Sequence, residues 1–122
     1  MTSERSVRIH RVYDHDHPVS GHLVLVDRLW PRGVRKADLE FDEWCKDVAP
    51  STELRRWYGH DPGRFDEFAR RYRDELGSDP AAEQVARLSG FADEDGLVLL
   101  TATRDVEHSG AEVLRRHLAE RS

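Results

Sequence analysis

Arg28 and Arg32 bracket Trp30 in the run Asp27-Arg-Leu-Trp-Pro-Arg-Gly33, directly after the apolar residues Leu23 to Val26. Two guanidinium groups beside an indole suit a carboxylate or phosphate held bidentately, with the ring as a wall for a flat group. An arginine next to a buried apolar run is costly unless it is paired or bound to something. The same residues therefore have an equally weighted structural reading: Arg28 paired with Asp27 or Asp105, and Trp30 closing the core. Asp27 has the chemistry of a general base or metal ligand, although a carboxylate placed there more often orients an arginine or caps a loop.

A second polar group gathers late in the chain, at Arg104-Asp-Val-Glu-His-Ser109. Ser109 and Glu112 have the spacing of a capping box, so a helix should start there, and a helix N-terminus attracts anions. Ser109, Arg104 and Asp105 could then position a ligand, and His108 could act as acid or base near neutral pH. The plainer reading of His108 is a hydrogen-bonded turn histidine. His60 and Lys46 could line the rim of the same site, with His60 read first as a turn residue. Ser51 reads as a helix cap, and no Gly-x-Ser-x-Gly elbow or triad surrounds it. The single cysteine, Cys45, reads as a small buried residue, even with Lys46 beside it to lower its pKa. The local Asp14-His-Asp-His17 cluster lacks a further ligand fixed by the fold, so no metal site is assigned.

These groups need elements to position them. The residues from Leu23 to Trp30, the first four continuously apolar as in a strand covered on both faces, and from Gly96 to Thr103, another buried strand, carry the two strongest strand signals. Val7 to Tyr13 predicts a shorter strand, with Val7, Ile9 and Tyr13 inward. Leu39 to Val48 is read as a short third strand or an extended connection. Ser51 caps a helix over Thr52 to Tyr58. Asp61-Pro62 starts another, with Phe65, Phe68, Ala69, Tyr72 and Leu76 on one face and Gly77 at its end. Asp79-Pro80 starts a third, with a stripe of Ala82, Val85, Ala86 and Ser89 and with Leu88 beside it. The last helix should turn Ala111, Leu114 and Leu118 inward. The fold class that follows is α/β: a small, at least partly parallel sheet of three to four strands with helices packed on both faces. Ligands of such sheets lie beyond the carboxyl ends of the strands, which is where Asp27–Gly33 and Thr103–Ser109 fall.

Composition sets outer bounds. A chain of 122 residues predicts a single domain over 1–122 with a real core. The net charge of −5 disfavours nucleic acid as a partner. Arginine nevertheless far outnumbers lysine, which leaves a local anion site open. One cysteine excludes an intrachain disulfide and a cysteine zinc cluster. The polar start, Met1 to His10, lacks a signal-peptide h-region, and no apolar run reaches membrane-spanning length, so the expectation is a cytoplasmic protein with no membrane partner. Walker A, Gly-x-Gly-x-x-Gly, His-Glu-x-x-His and RNP patterns are absent, and no cofactor is assigned.

Three segments then stand out together: Val26-Asp-Arg-Leu-Trp-Pro-Arg-Gly33, Trp44-Cys-Lys-Asp-Val-Ala-Pro-Ser51 and Leu54-Arg-Arg-Trp-Tyr-Gly-His-Asp-Pro62. With Phe65 to Tyr72 and Thr101-Ala-Thr-Arg-Asp-Val-Glu-His108, they resemble the YeaO-like family over nearly the whole chain. That family is a domain of unknown function, so the resemblance implies a compact α/β domain and no established substrate or catalytic residue. The broader group it resembles often has Cys-His-Arg after its last strand. Here Glu107-His108-Ser109 stands there, and the resemblance implies no thiol chemistry.

The leading expectation is a pocket for a small anionic molecule at the strand ends, which could also be catalytic. Arg28, Arg32 and Arg104 would hold the anion, and Asp27 and His108 would orient groups or move protons. The alternatives are an interaction or regulatory module using exposed Trp30, Trp44 or Trp57, and nucleic-acid binding through Arg70, Arg71 and Arg73. Acidic residues interleave those arginines, which favours a solvated helix face.

Overall fold

The computed structural model describes residues 6–14 and 20–120. Four parallel strands, β1 (Val7–Arg11), β2 (His22–Leu25), β3 (Glu43–Trp44) and β4 (Leu97–Thr101), form one sheet in the order β1-β4-β2-β3. The α-helices are α1 (Thr52–Tyr58), α2 (Phe65–Leu76), α3 (Ala81–Asp93) and α4 (Gly110–Glu120). No helix among the described residues is long and apolar enough to cross a membrane. The α/β class and the parallel sheet are those the sequence predicts.

β4 is an interior strand, paired with β1 and β2, and its composition follows from that position. Leu97 and Leu99 face one core cluster with Val7, Val24 and Val26, while Val98 and Leu100 face another with Val12, Leu23 and Leu25. A strand covered on both sides has no polar alternation to show.

The cover differs between the faces, which corrects the expectation of helices on both. The buried apolar residues of α1, α2, α3 and α4 all join the first cluster. The second face is covered by the connection from β2 to β3, through Trp30, Val34, Leu39, Phe41 and Trp44. Continuous apolarity demands burial on both faces, but an aromatic loop meets that demand as well as a helix does. Trp30 packs edge-on against Phe41 and Trp44, at 5.6 and 5.4 Å between centroids.

Other boundaries also shift. β2 stops at Leu25, and Val26 adds one last bond to the Leu100 carbonyl before the chain leaves the sheet. Only Glu43–Trp44 pairs within the third predicted strand, and a 3-10 turn over Lys46–Val48 follows at once. Tyr13 lies at the surface rather than inward. In α3 the buried stripe is Ala81, Val85, Leu88, Ser89 and Ala92, with Leu88 central and Ala86 exposed.

The helix starts are written locally. The Ser51 hydroxyl accepts from the Leu54 N–H at 3.1 Å, and the Asp61 carboxylate accepts from the Gly63 N–H at 3.0 Å. Phe65, Phe68, Tyr72 and Leu76 bury one face of α2 as the spacing predicts, each contributing roughly 1.5–3 kcal/mol of burial. The capping box at α4 is half made. Ser109 Oγ accepts from the Glu112 N–H at 3.2 Å, but the Glu112 carboxylate turns to Arg115 and Arg116 instead of back to Ser109.

Candidate functional site

A cavity of about 710 Å³ opens beyond the carboxyl ends of the strands. Its wall comes from Val26 to Arg32 after β2, from Thr101 to Thr103 with His108 to Ala111 at and after the end of β4, and from the face of α1 that carries Thr52, Arg55 and Arg56, with Tyr13, His60 and the α2 residues Phe68 and Tyr72 also in the lining. The seam between the strand ends is held by Asp27. One carboxylate oxygen accepts from Thr101 Oγ1 at 2.7 Å, and the other accepts from the Ala102 N–H at 2.8 Å. Its backbone carbonyl accepts from the Trp44 indole at 2.7 Å. Burial pushes the Asp27 carboxyl above its ordinary pKa, against the pull of the Ala102 N–H, the Thr101 hydroxyl and nearby Arg55. A carboxylate with both oxygens committed to the protein acts here as a clamp.

Arg28 lies across the start of α1. Its Nε donates to the Pro50 carbonyl at 3.2 Å and a terminal nitrogen to the Ala49 carbonyl at 3.3 Å. These carbonyl partners replace the pairing with Asp27 or Asp105 that its structural reading predicts. The next turn is set by Gly33, which takes a φ of 78° at the third position of Pro31-Arg-Gly-Val34, a conformation glycine adopts without strain. Tyr13 fastens that turn by donating from its hydroxyl to the Arg32 carbonyl at 2.9 Å.

The opposite wall holds His60 and His108. His60 adopts a left-handed backbone, φ 57°, after Gly59 at φ 54°. His108 Nδ1 lies 2.8 Å from Asp105 Oδ2, and its ring stands edge-on to Phe65 at 5.3 Å. Its backbone carbonyl accepts from the Tyr58 hydroxyl at 2.6 Å, tying this wall to α1. Burial is the largest cause that raises the Tyr58 pKa, followed by Asp105 and Asp61.

Of the residues nominated from sequence, the cavity brings together Asp27, Arg28, Trp30, Arg32, His60, His108 and Ser109. Ser109 is occupied as a cap, with its hydroxyl donating to the Val106 carbonyl at 2.7 Å. Trp30 contributes an edge while its indole N–H donates to the Val34 carbonyl at 2.6 Å. Asp105 stands behind His108, outside the lining. Two nominees fall elsewhere. Lys46 sits over the Trp44 ring, 4.1 Å from its centroid, and Arg104 is exposed and does not line the cavity. In short turns one residue changes a side chain's direction completely, so proximity in sequence misled at both positions.

Sequence reasoning missed Arg55 and Arg56. The signal was present: Thr52, Arg55 and Arg56 have the i, i+3, i+4 spacing of one helix face. Nothing local said that this face meets the strand ends rather than water.

The cavity arginines differ in their partners from the arginines of α2 and α4, although Arg8 and Arg104 outside the cavity likewise have no carboxylate at ion-pair distance among the described residues. Arg28, Arg32, Arg55 and Arg56 line the cavity, and none has a carboxylate at ion-pair distance among the described residues. Elsewhere Arg70 and Arg71 share Glu67 at 2.7 and 2.8 Å, Arg115 and Arg116 share Glu112 at 2.8 and 2.7 Å, and Arg73 meets Glu120 at 2.8 Å. The stripe considered for nucleic acid is thereby neutralised. Among the described residues, no group of three or more His, Cys, Asp and Glu is arranged to hold a metal ion. Of the Asp14–His17 cluster, only Asp14 lies inside the described residues.

Comparison with known proteins bears on the whole chain. The family model described as the inactive DUF488-N3 subclade matches residues 6–122. The chain belongs to that subclade. The DUF488-N3 chain is 49% identical over 118 residues to an uncharacterised protein of Mycobacterium tuberculosis, Rv3073c, covering 97% of this chain and 98% of the relative. It is 37% identical over 109 residues to the uncharacterised protein YeaO of Escherichia coli, covering 89% and 93% respectively. The resemblance to YeaO-like proteins drawn from the motifs is thus shown. No solved structure matches this DUF488-N3 chain.

Proposed function

We propose that this protein binds a small anionic molecule in the cavity at the strand ends, and that it binds rather than transforms it. The observation that carries the reading is the set of four cavity arginines without carboxylate partners in a chain whose acids outnumber its bases, 24 to 19. Like charges gathered in one concavity repel, and an anion relieves that repulsion. The family description of an inactive subclade favours binding over turnover. Asp27 is engaged by Thr101 and Ala102 in a role that positions the strand ends.

The interaction-module reading is weaker. Trp30 and Trp44 pack on the sheet, and Trp57 lies beneath Arg64 and Arg71 at 5.3 and 4.2 Å. They form no exposed aromatic patch.

Calorimetric titration of inorganic phosphate and sulfate at low salt tests the proposal. Binding should weaken by about tenfold to a hundredfold in Arg28→Ala and Arg55→Ala, the scale of a lost hydrogen bond to a charged group. Arg70→Ala should bind as wild type does. Equal losses in all three variants, or no heat of binding at millimolar anion, would end the reading.

A further inference from the structure

Resting on that anion-pocket reading, we infer that the ligand is an aromatic phosphate monoester: a phosphate head carried on a flat, ring-bearing body. Three observations combine. First, the cations come from two walls, Arg28 and Arg32 after β2, and Arg55 and Arg56 on α1. A carboxylate has one charge and two oxygens, enough for one guanidinium fork. A phosphate monoester has close to two charges and three acceptor oxygens and can serve donors on both walls.

Second, the cavity is far larger than the head. Its volume of about 710 Å³ falls within the roughly 300–1,000 Å³ range of sites for organic ligands. A bare inorganic anion would leave most of it to water.

Third, the exposed large apolar side chains among the described residues are Tyr13 and Leu29, 39% and 66% exposed, and both line this cavity. Exposed apolar surface on the wall of a charged pocket marks where an apolar part of a ligand lies. Tyr13 is held by its hydroxyl bond to Arg32 and has Arg11 above its ring at 5.5 Å. A fixed phenol ring and unpaired guanidinium planes both favour a flat aromatic body over an aliphatic one.

The test is competitive calorimetry with phenyl phosphate, adenosine monophosphate, ribose phosphate, inorganic phosphate and adenosine. It uses the whole chain as wild type, Leu29→Ser, Tyr13→Ala and Arg55→Ala. The two aromatic esters should bind at least about tenfold tighter than inorganic or ribose phosphate, the scale expected for burying a ring. Adenosine alone should not bind. Leu29→Ser should erase the advantage of the aromatic esters while leaving inorganic phosphate unchanged, and Tyr13→Ala, which also releases the Arg32 turn, should weaken the aromatic esters by a larger factor than inorganic phosphate. Arg55→Ala should weaken every phosphate alike. Leu29 and Arg55 are exposed, so their variants keep the fold, and circular dichroism checks it. Equal affinity for aromatic and inorganic phosphates would overturn this inference and leave the anion pocket standing. Absence of binding by any phosphate would overturn both.

Discussion

α2 and the cavity use the same residue type to opposite ends. On α2, Arg70 and Arg71 converge on Glu67, and the pull of both guanidinium groups holds that carboxylate down to about 2. At the strand ends Arg28 donates only to main-chain carbonyls, and Arg55 and Arg56 make no ion pair among the described residues, Arg55 acting on the Asp27 carboxyl only at longer range. Exposed ion pairs on a helix contribute little to stability, but they dispose of charge locally. The cavity keeps its charge. Four arginines against the one lining carboxylate, Asp27, make this concavity locally basic in an acidic protein.

The same contrast separates two acids. Asp27 is a half-buried clamp in the cavity lining, while the carboxylates of α2 are surface partners. The largest effect should come from Asp27→Ala, which leaves Thr101 Oγ1 and the Ala102 N–H without their acceptor. Each loss costs roughly 1–3 kcal/mol, so denaturant unfolding should show a fall of about 2–4 kcal/mol. A near-neutral result would mean that the strand ends do not depend on this clamp.

An intermediate effect is expected at Glu43, at the other end of the sheet. Arg87 donates to it bidentately and His22 lies 2.9 Å away, so its pKa falls from the ordinary 4.5 to about 2. A depressed acid contributes stability that is fully present above its unfolded pKa and lost as pH falls through the folded one. Glu43→Gln should therefore cost about 1 kcal/mol at neutral pH, a pair on the border between exposed and buried. The difference from wild type should vanish as the pH is taken from about 4.5 down to about 2 in unfolding experiments.

The smallest effect belongs to the paired surface. Arg70→Ala should leave both the unfolding midpoint and anion affinity where they are in wild type. A large loss there would break the contrast between the two sets of arginines.

Much of this was legible in the sequence, because local rules govern it. β2 and β4 announce themselves as uninterrupted apolar runs, and Ser51 and Asp61 as caps. Placing ligands beyond parallel strand ends brought Asp27, Arg28, Arg32, His60 and His108 into view as one group. What failed depends on tertiary placement. The docking of α1 across the strand ends turns Arg55 and Arg56 from a solvated face into a cavity wall. The Trp44 ring that captures Lys46 and the carbonyls that hold Arg28 belong to the same category. Helices were expected on both sheet faces, yet the β2–β3 connection covers the second, because burial demand specifies cover and not its form.

The central claim, that the cavity arginines take an anion and the ion-paired ones do not, can be read residue by residue. Nitrogen-15 NMR of the arginine Nε–Hε groups during a phosphate titration gives each guanidinium its own signal. The account predicts that Arg28, Arg32, Arg55 and Arg56 shift together along one saturating curve while Arg70, Arg71, Arg115 and Arg116 stay fixed. Shifts spread evenly over both sets, or confined to the paired helices, would contradict it.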